Sequence, residues 1–234
     1  MLMRLSERSE IRNLQLFHSM SDENFADLMR AAYLQNFPAH VQLIGEGDGA
    51  DFLFVMIEGS AELFASWNDR ETTMAIVGPM DTFILAAVIK DALYLMSART
   101  TEKSRILMIP AQDVRQAFER DEAFAKSIVV ELADCYRGVV RNQKDLKLRT
   151  GVERLAARLL RFHRNQGASG SLSLPHDKRT LAALIGMTPE NLSRAFATLR
   201  PYGVVVEGSE VILSDIPGLE RLAKPSPLID DELR

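Results

Sequence analysis

Thr188-Pro189-Glu190-Asn191-Leu192-Ser193-Arg194 follows the apolar run Leu181-Ala182-Ala183-Leu184-Ile185 after a short turn at Gly186-Met187, and this stretch orders the rest of the chain. Thr188 is a good N-cap, and Pro189 suits the first helical position, where a missing N–H costs nothing. Leu192, Ala195, Phe196 and Leu199 recur at helical spacing and predict the buried stripe of a helix starting at Pro189. Glu190, Ser193, Arg194 and Ala197 then fall together on another face, where short polar side chains and one arginine are free to meet a partner. Two helices joined by a Gly-containing turn match a helix-turn-helix, whose second helix enters the DNA major groove. A surface helical hairpin with a well-capped second helix would share these features, so the flanks must decide.

They are basic. From Lys144 to Arg200 there are eleven cations, among them Arg154, Arg158, Arg161, Lys178, Arg179 and Arg194, against Asp145, Glu153, Asp177 and Glu190. The whole chain has a formal net charge of -4, so the acid lies elsewhere and a local positive field is left for phosphates.

With 234 residues and 47% hydrophobic content, the chain is long enough for one large or two modest domains. No apolar run reaches the roughly twenty residues needed to span a bilayer. Met1-Leu2-Met3-Arg4-Leu5 lacks the apolar core of a signal peptide, so a cytoplasmic protein without a membrane partner is expected. One cysteine, Cys135, excludes an internal disulfide framework and a metal site built from several thiolates of one chain.

A helix is expected near Asp22 to Tyr33, with Phe25, Leu28 and Met29 at helical spacing. Strand-like runs punctuated by glycine follow: Val41 to Ile44, Phe52 to Ile57, Ala61 to Phe64, Thr72 to Val77, and Arg105 to Ile109 before Pro110. They predict an antiparallel roll or barrel. From Ala111 a long helix is expected, along which Ile128, Leu132, Cys135, Val139, Asn142 and Leu146 recur in steps of four and three. That spacing is a coiled-coil seam and predicts a homodimer, with Asn142 fixing register; the competing reading is a stripe packed on the roll. Cys135 on such a seam would face its twin and allow redox chemistry, or serve as a small inert hydrophobe.

Lys147 to Thr150 is a basic hinge, and Val152, Leu155, Ala156, Leu159 and Leu160 are the apolar face of a new helix. Asn165 to Ser171 is a flexible turn, and Leu172 and Leu174 begin a hairpin. Gly203 to Leu213 sets a Gly208-Ser209 turn between β-branched runs, which suits the wing of a winged helix. Lys224 to Arg234, with Pro225, Pro227 and Asp230-Asp231-Glu232, is expected as a mobile tail.

In this order the motifs resemble the CRP/FNR family of bacterial regulators over nearly the whole chain. Glu46-Gly47-Asp48, Phe52 to Ile57, Glu58-Gly59 and Leu107-Met108-Ile109-Pro110 look like the family's cyclic-nucleotide-type β-roll, and Pro189 to Arg194 is similar to FNR-type recognition helices. The resemblance implies an α+β chain: a sensory β-roll over 1–110, a dimerisation helix over 111–146, a winged helix-turn-helix over 147–223 and a tail over 224–234. It implies a dimeric transcription regulator bound to palindromic duplex DNA with TTGAT- or TTGAC-like half-sites, meeting RNA polymerase if it activates. Glu190 would accept from a cytosine amino group, Arg194 would donate twice to guanine, and Ser193 would touch a thymine edge. Lys178, Arg179 and Thr188 are the expected backbone contacts. A signal would rotate the domains about Lys147 to Thr150.

The sensor departs from the family. Where cyclic-AMP-binding members carry Gly-Glu-Leu and Arg-Ser, this chain has Phe83-Ile84-Leu85 and Tyr94-Leu95, so the groups that hold an anionic nucleotide are missing and cyclic AMP is not expected. Phe83, Ile84, Leu85, Tyr94, Leu95 and Met96 are the candidate effector pocket, which can enclose an apolar ligand, a haem or only its own side chains. The iron–sulfur cluster of FNR proper needs several cysteines and is excluded. Haem needs an iron ligand, and His18 and His40 read as ordinary surface or capping histidines.

No P-loop, dinucleotide fingerprint or His-Glu-x-x-His occurs, and Gly45 to Gly49 lacks the helix a phosphate cradle needs, so an enzyme is not expected. The alternative function is a ligand-sensing module whose helix-turn-helix binds protein. Salt-sensitive binding to a palindromic duplex separates the two.

Overall fold

The computed structural model describes residues 5–167 and 169–230. It divides into one compact unit up to Asp134 and a second from Cys135.

The first unit opens with helices α1 (Leu5–Arg12) and α2 (Asp22–Ala31). The Ser21 hydroxyl accepts from the Asn24 amide and caps α2, whose Phe25, Leu28 and Met29 are buried as their spacing predicts. The chain then runs through β1 (Tyr33–Phe37), β2 (Gln42–Ile44), β3 (Phe52–Glu58), β4 (Ala61–Trp67), β5 (Arg70–Val77) and β6 (Thr82–Phe83). A short helix α3 (Leu85–Lys90) separates these from β7 (Ser97–Thr100) and β8 (Ser104–Pro110). The strands form two four-stranded antiparallel sheets, ordered β1-β8-β3-β6 and β2-β7-β4-β5. Leu53, Met56, Ile106 and Ile109 from one sheet and Ala61 and Ala98 from the other are fully buried in one core. The expected roll is present, but α2 ends at Ala31, and Tyr33 already pairs with Met108 in β1.

The helix expected from Ala111 is two helices, α4 (Ala111–Arg120) and α5 (Glu122–Leu148), broken at Asp121. The break is a polar knot. Asp121 Oδ1 accepts from the Phe124 amide, and its Oδ2 accepts from the Ser21 amide and Asn24 Nδ2, each at 2.9 Å. One carboxylate thus caps α5 and ties it to the start of α2.

The second unit holds the last part of α5, then α6 (Gly151–Asn165), β9 (Ser171–Ser173), α7 (Lys178–Leu184) and α8 (Pro189–Leu199). A 3-10 turn at Arg200–Tyr202 leads to β10 (Val204–Glu207), β11 (Glu210–Leu213), α9 (Ile216–Ala223) and α10 (Pro227–Asp230). The hairpin β10–β11 is the expected wing, and β9 joins its far edge instead of starting a hairpin of its own. Leu155, Leu159, Leu181, Leu192, Leu199 and Val211 close a separate core. Thr150 caps α6 in a reciprocal box with Glu153.

α5 ends at Leu148 and α6 starts at Gly151, so a break lies within the expected hinge, and Arg154 of α6 spans it by donating to the carbonyls of Leu146 and Arg149. One expectation for this unit changes. The stretch expected as a mobile tail is structured as far as Asp230, which pairs with Arg149; residues 231–234 lie outside the described residues, as does Ala168 of the expected flexible turn.

Candidate nucleic-acid interface

α8 forms where its sequence predicts. The Thr188 hydroxyl accepts from the Asn191 amide at 3.3 Å, Pro189 takes the first turn, and Leu192, Ala195, Phe196 and Leu199 are buried. That burial packs α8 onto α6, α7 and β10. Glu190, Ser193, Arg194 and Ala197 are all exposed, so the outward face contains the three expected base-reading side chains together. The turn before α8 needs Gly186: its φ is +64°, and a Cβ there would lie 2.5 Å from Leu146 Cδ2. A side chain there would strain the backbone and force the Leu146 side chain to move.

Local electrostatics prepare the face. The Glu190 carboxyl is held below the usual carboxylate range by its own backbone amide at the helix N-terminus and by the Thr188 hydroxyl. It is therefore an acceptor at neutral pH, the state that a cytosine amino group requires. Arg194 Nη1 donates to Asn191 Oδ1 at a long 3.5 Å, which leaves the fork free to turn outward. Thr188 differs from expectation: its hydroxyl serves both the Asn191 amide and the Glu190 carboxyl, so a phosphate would compete with a cap.

Lys178 and Arg179 stand exposed in the first turn of α7 behind the Asp177 cap, whose Oδ1 accepts from the Thr180 amide at 2.7 Å. A groove of about 480 Å³ runs between α8 and the wing, with Lys178, Ser193, Arg200 and Val205 in its walls. Arg200 was named in the sequence only as part of the basic stretch. Its place at the C-terminal end of α8, on the groove, adds it to the interface.

The other expected clusters divide. Phe83, Leu85 and Tyr94 are buried in the roll core, Ile84 and Met96 are half-buried against it, and Leu95 is 81% exposed. Leu95 therefore lines no interior pocket. Phe83 stacks on Phe54 at 5.3 Å, and the Tyr94 hydroxyl donates to the Phe52 carbonyl, so both side chains are engaged within the roll. Ile84 takes φ +66°, a strained choice for a β-branched residue, where α3 begins. The expected seam also splits: Ile128 is fully buried in the roll core with Leu132 against it, and Leu146 abuts Gly186, whereas Cys135, Val139 and Asn142 are exposed. A straight helix of 3.6 residues per turn drifts off a 3.5-residue repeat, and both ends of this stripe have turned toward their own domains. Val129, Tyr136 and Val140 are exposed beside them. His18 bonds Gln15 and Ser19 at the surface, and His40 takes a left-handed turn with φ +62°.

A β-roll followed by a helix-turn-helix that displays Glu, Ser and Arg on a capped second helix defines a DNA-binding transcription regulator. Comparison with known proteins agrees. Residues 34–121 match the cyclic nucleotide-binding domain family and residues 153–222 the Crp-like helix-turn-helix domain family. The chain is 25% identical over 215 residues, 89% of its own length and 96% of the relative's, to the CRP-like cAMP-activated global transcriptional regulator of Mycobacterium tuberculosis. A putative cAMP-binding regulatory protein from Silicibacter pomeroyi aligns with a TM-score of 0.59 at 25% identity, covering 95% of this chain and all of that one. FixK2 from Bradyrhizobium japonicum shares the fold, with a TM-score of 0.69 at 21% identity over 83% of this chain and 98% of its own. Its two matched segments and its similarity to a CRP-like regulator over most of its length place the chain beside CRP-type transcription regulators.

Proposed function

We propose that two copies of this chain bind a palindromic duplex with TTGAT- or TTGAC-like half-sites, each inserting an FNR-type α8 into one of two successive major grooves. Glu190, Ser193 and Arg194 read bases, while Lys178, Arg179 and Arg200 hold phosphates. Thr188 acts chiefly by capping the helix. The observation that carries this reading is the division of α8 into a buried stripe and an exposed Glu-Ser-Arg face. No helix among the described residues is long and apolar enough to cross a membrane, in keeping with work on DNA in the cytoplasm. The dimer forms along the exposed length of α5, where Cys135, Val139 and Asn142 of the expected seam lie beside Val129, Tyr136 and Val140, and contact with RNA polymerase depends on where the operator lies.

Cyclic AMP does not fit the roll of this chain. The buried Leu85 and the Tyr94 bonded to Phe52 occupy the stretches where a nucleotide would need a carboxylate and a guanidinium. The single cysteine leaves no iron–sulfur cluster within one chain.

Arg194→Ala tests the base-reading role. Its loss should weaken binding to a palindromic half-site duplex by about 1–3 kcal/mol while binding to random DNA changes little. Equal losses on the two duplexes would refute it.

A further inference from the structure

Arg149 lies between the end of α5 and the Thr150 cap of α6, and its side chain is only 8% exposed. Its guanidinium is held from three directions. Nη1 pairs with Asp145 at 3.0 Å, Nη1 and Nη2 each reach one oxygen of Asp230 at 2.7 Å, and Nη2 donates to the Lys224 carbonyl at 3.1 Å. The Ser226 amide fixes the Asp230 carboxylate in turn, at 2.6 Å. Two parallel charge-assisted bonds in a buried setting constrain geometry far more than a surface pair does.

A second arginine continues the chain of contacts. Arg154 Nη1 donates to the Arg149 carbonyl at 2.7 Å, Nε to Ile185 O at 2.8 Å and Nη2 to Gly186 O at 3.3 Å. The peptide that Arg149 anchors is therefore bonded, through one guanidinium, to the turn immediately before α8. Residues 224–230 lie outside both segments that match known domain families, 34–121 and 153–222.

We infer that residues 224–230 form a strap that positions the recognition helix, with Asp230 as the positioning residue acting through Arg149 and Arg154. This rests on the reading of α8 as the base-reading helix. The strap sets the angle at which the helix-turn-helix leaves the end of α5, and so governs fit to specific sites more than attraction to phosphates.

The experiment measures binding of the full chain to a palindromic and a random duplex, with thermal melting alongside, for Asp230→Asn, Asp230→Glu and Arg194→Ala. Asp230→Asn removes one negative charge, so random-DNA affinity should hold or rise. Cognate affinity should fall about tenfold, as a buried cation loses the bidentate one of its two carboxylate partners and the turn loosens. Asp230→Glu, which keeps the charge, should recover most of the cognate affinity. An unchanged cognate-to-random ratio in Asp230→Asn, whatever happens to melting, overturns the strap if Arg194→Ala collapses that ratio. If neither variant changes the ratio, base reading by α8 fails and the strap falls with it. A variant that melts early is judged through Asp230→Glu: cognate loss without charge loss, at wild-type melting, would contradict the mechanism.

Discussion

A single carboxylate decides how the first unit is stapled. Burial would raise the Asp121 carboxyl, but hydrogen bonds from Asn24, the Phe124 amide and the Ser21 amide outweigh it and hold the group at about 2. A pKa depressed in the folded state contributes stability that is whole above the unfolded value near 4 and fades as pH falls toward 2. Asp121→Asn should therefore cost the roll about 1–2 kcal/mol at neutral pH and flatten its acid unfolding curve between pH 4 and 2, read by circular dichroism. An unaltered acid limb would show that the knot is dispensable. Glu190 sits at the opposite extreme of exposure, where its charge is open to the proposed partner. Glu190→Gln should keep melting unchanged and relax preference at one base position by about 1–3 kcal/mol, measured with single-base operator variants.

At the scale of elements, α8 was fully legible because cap, proline, buried stripe and exposed face all appear between Thr188 and Leu199. β7 was not. Ser97-Ala98-Arg99-Thr100 has no apolar alternation, yet Thr100 is fully buried because its hydroxyl bonds Pro38 O and the Val41 amide. Hydrogen bonds to residues sixty positions away leave no trace in local hydropathy. α3 was read only as part of an apolar run, since a short run does not distinguish helix from strand. The seam on α5 was legible as a period, but not where it ends, because the sequence alone does not say that Ile128 belongs to the roll. Tyr136→Glu should therefore leave the chain folded and shift it to monomers in sedimentation, whereas persistent dimers would place the seam elsewhere. The wing offers a contrast of charge: Glu207 and Glu210 face each other across its tip and are both exposed. Like charge near phosphates opposes binding, so Glu210→Lys should tighten cognate and random duplexes alike and steepen the salt dependence by about one. No change would put the wing tip beyond reach of the backbone.

The whole molecule joins an acidic balance to a basic DNA-facing segment, with a net charge of -4 and the cations gathered between Lys144 and Arg200. Charge of this kind draws a protein to any duplex, and in the proposed function the Glu-Ser-Arg face then selects among sequences. The order of roll, long helix and winged helix-turn-helix could be read from glycine punctuation, seam spacing and a capped helix. The strap could not, since Arg149 and Asp230 are eighty-one positions apart and look like an ordinary hinge cation and an ordinary tail acid. The most direct measurement is selection of duplexes from a randomised pool by the purified full-length protein. The expected outcome is enrichment of two inverted TTGAT- or TTGAC-like arms, centred one helical turn apart. Enrichment of a single unpaired arm, or of no sequence at all, would contradict a paired regulator that reads DNA through α8.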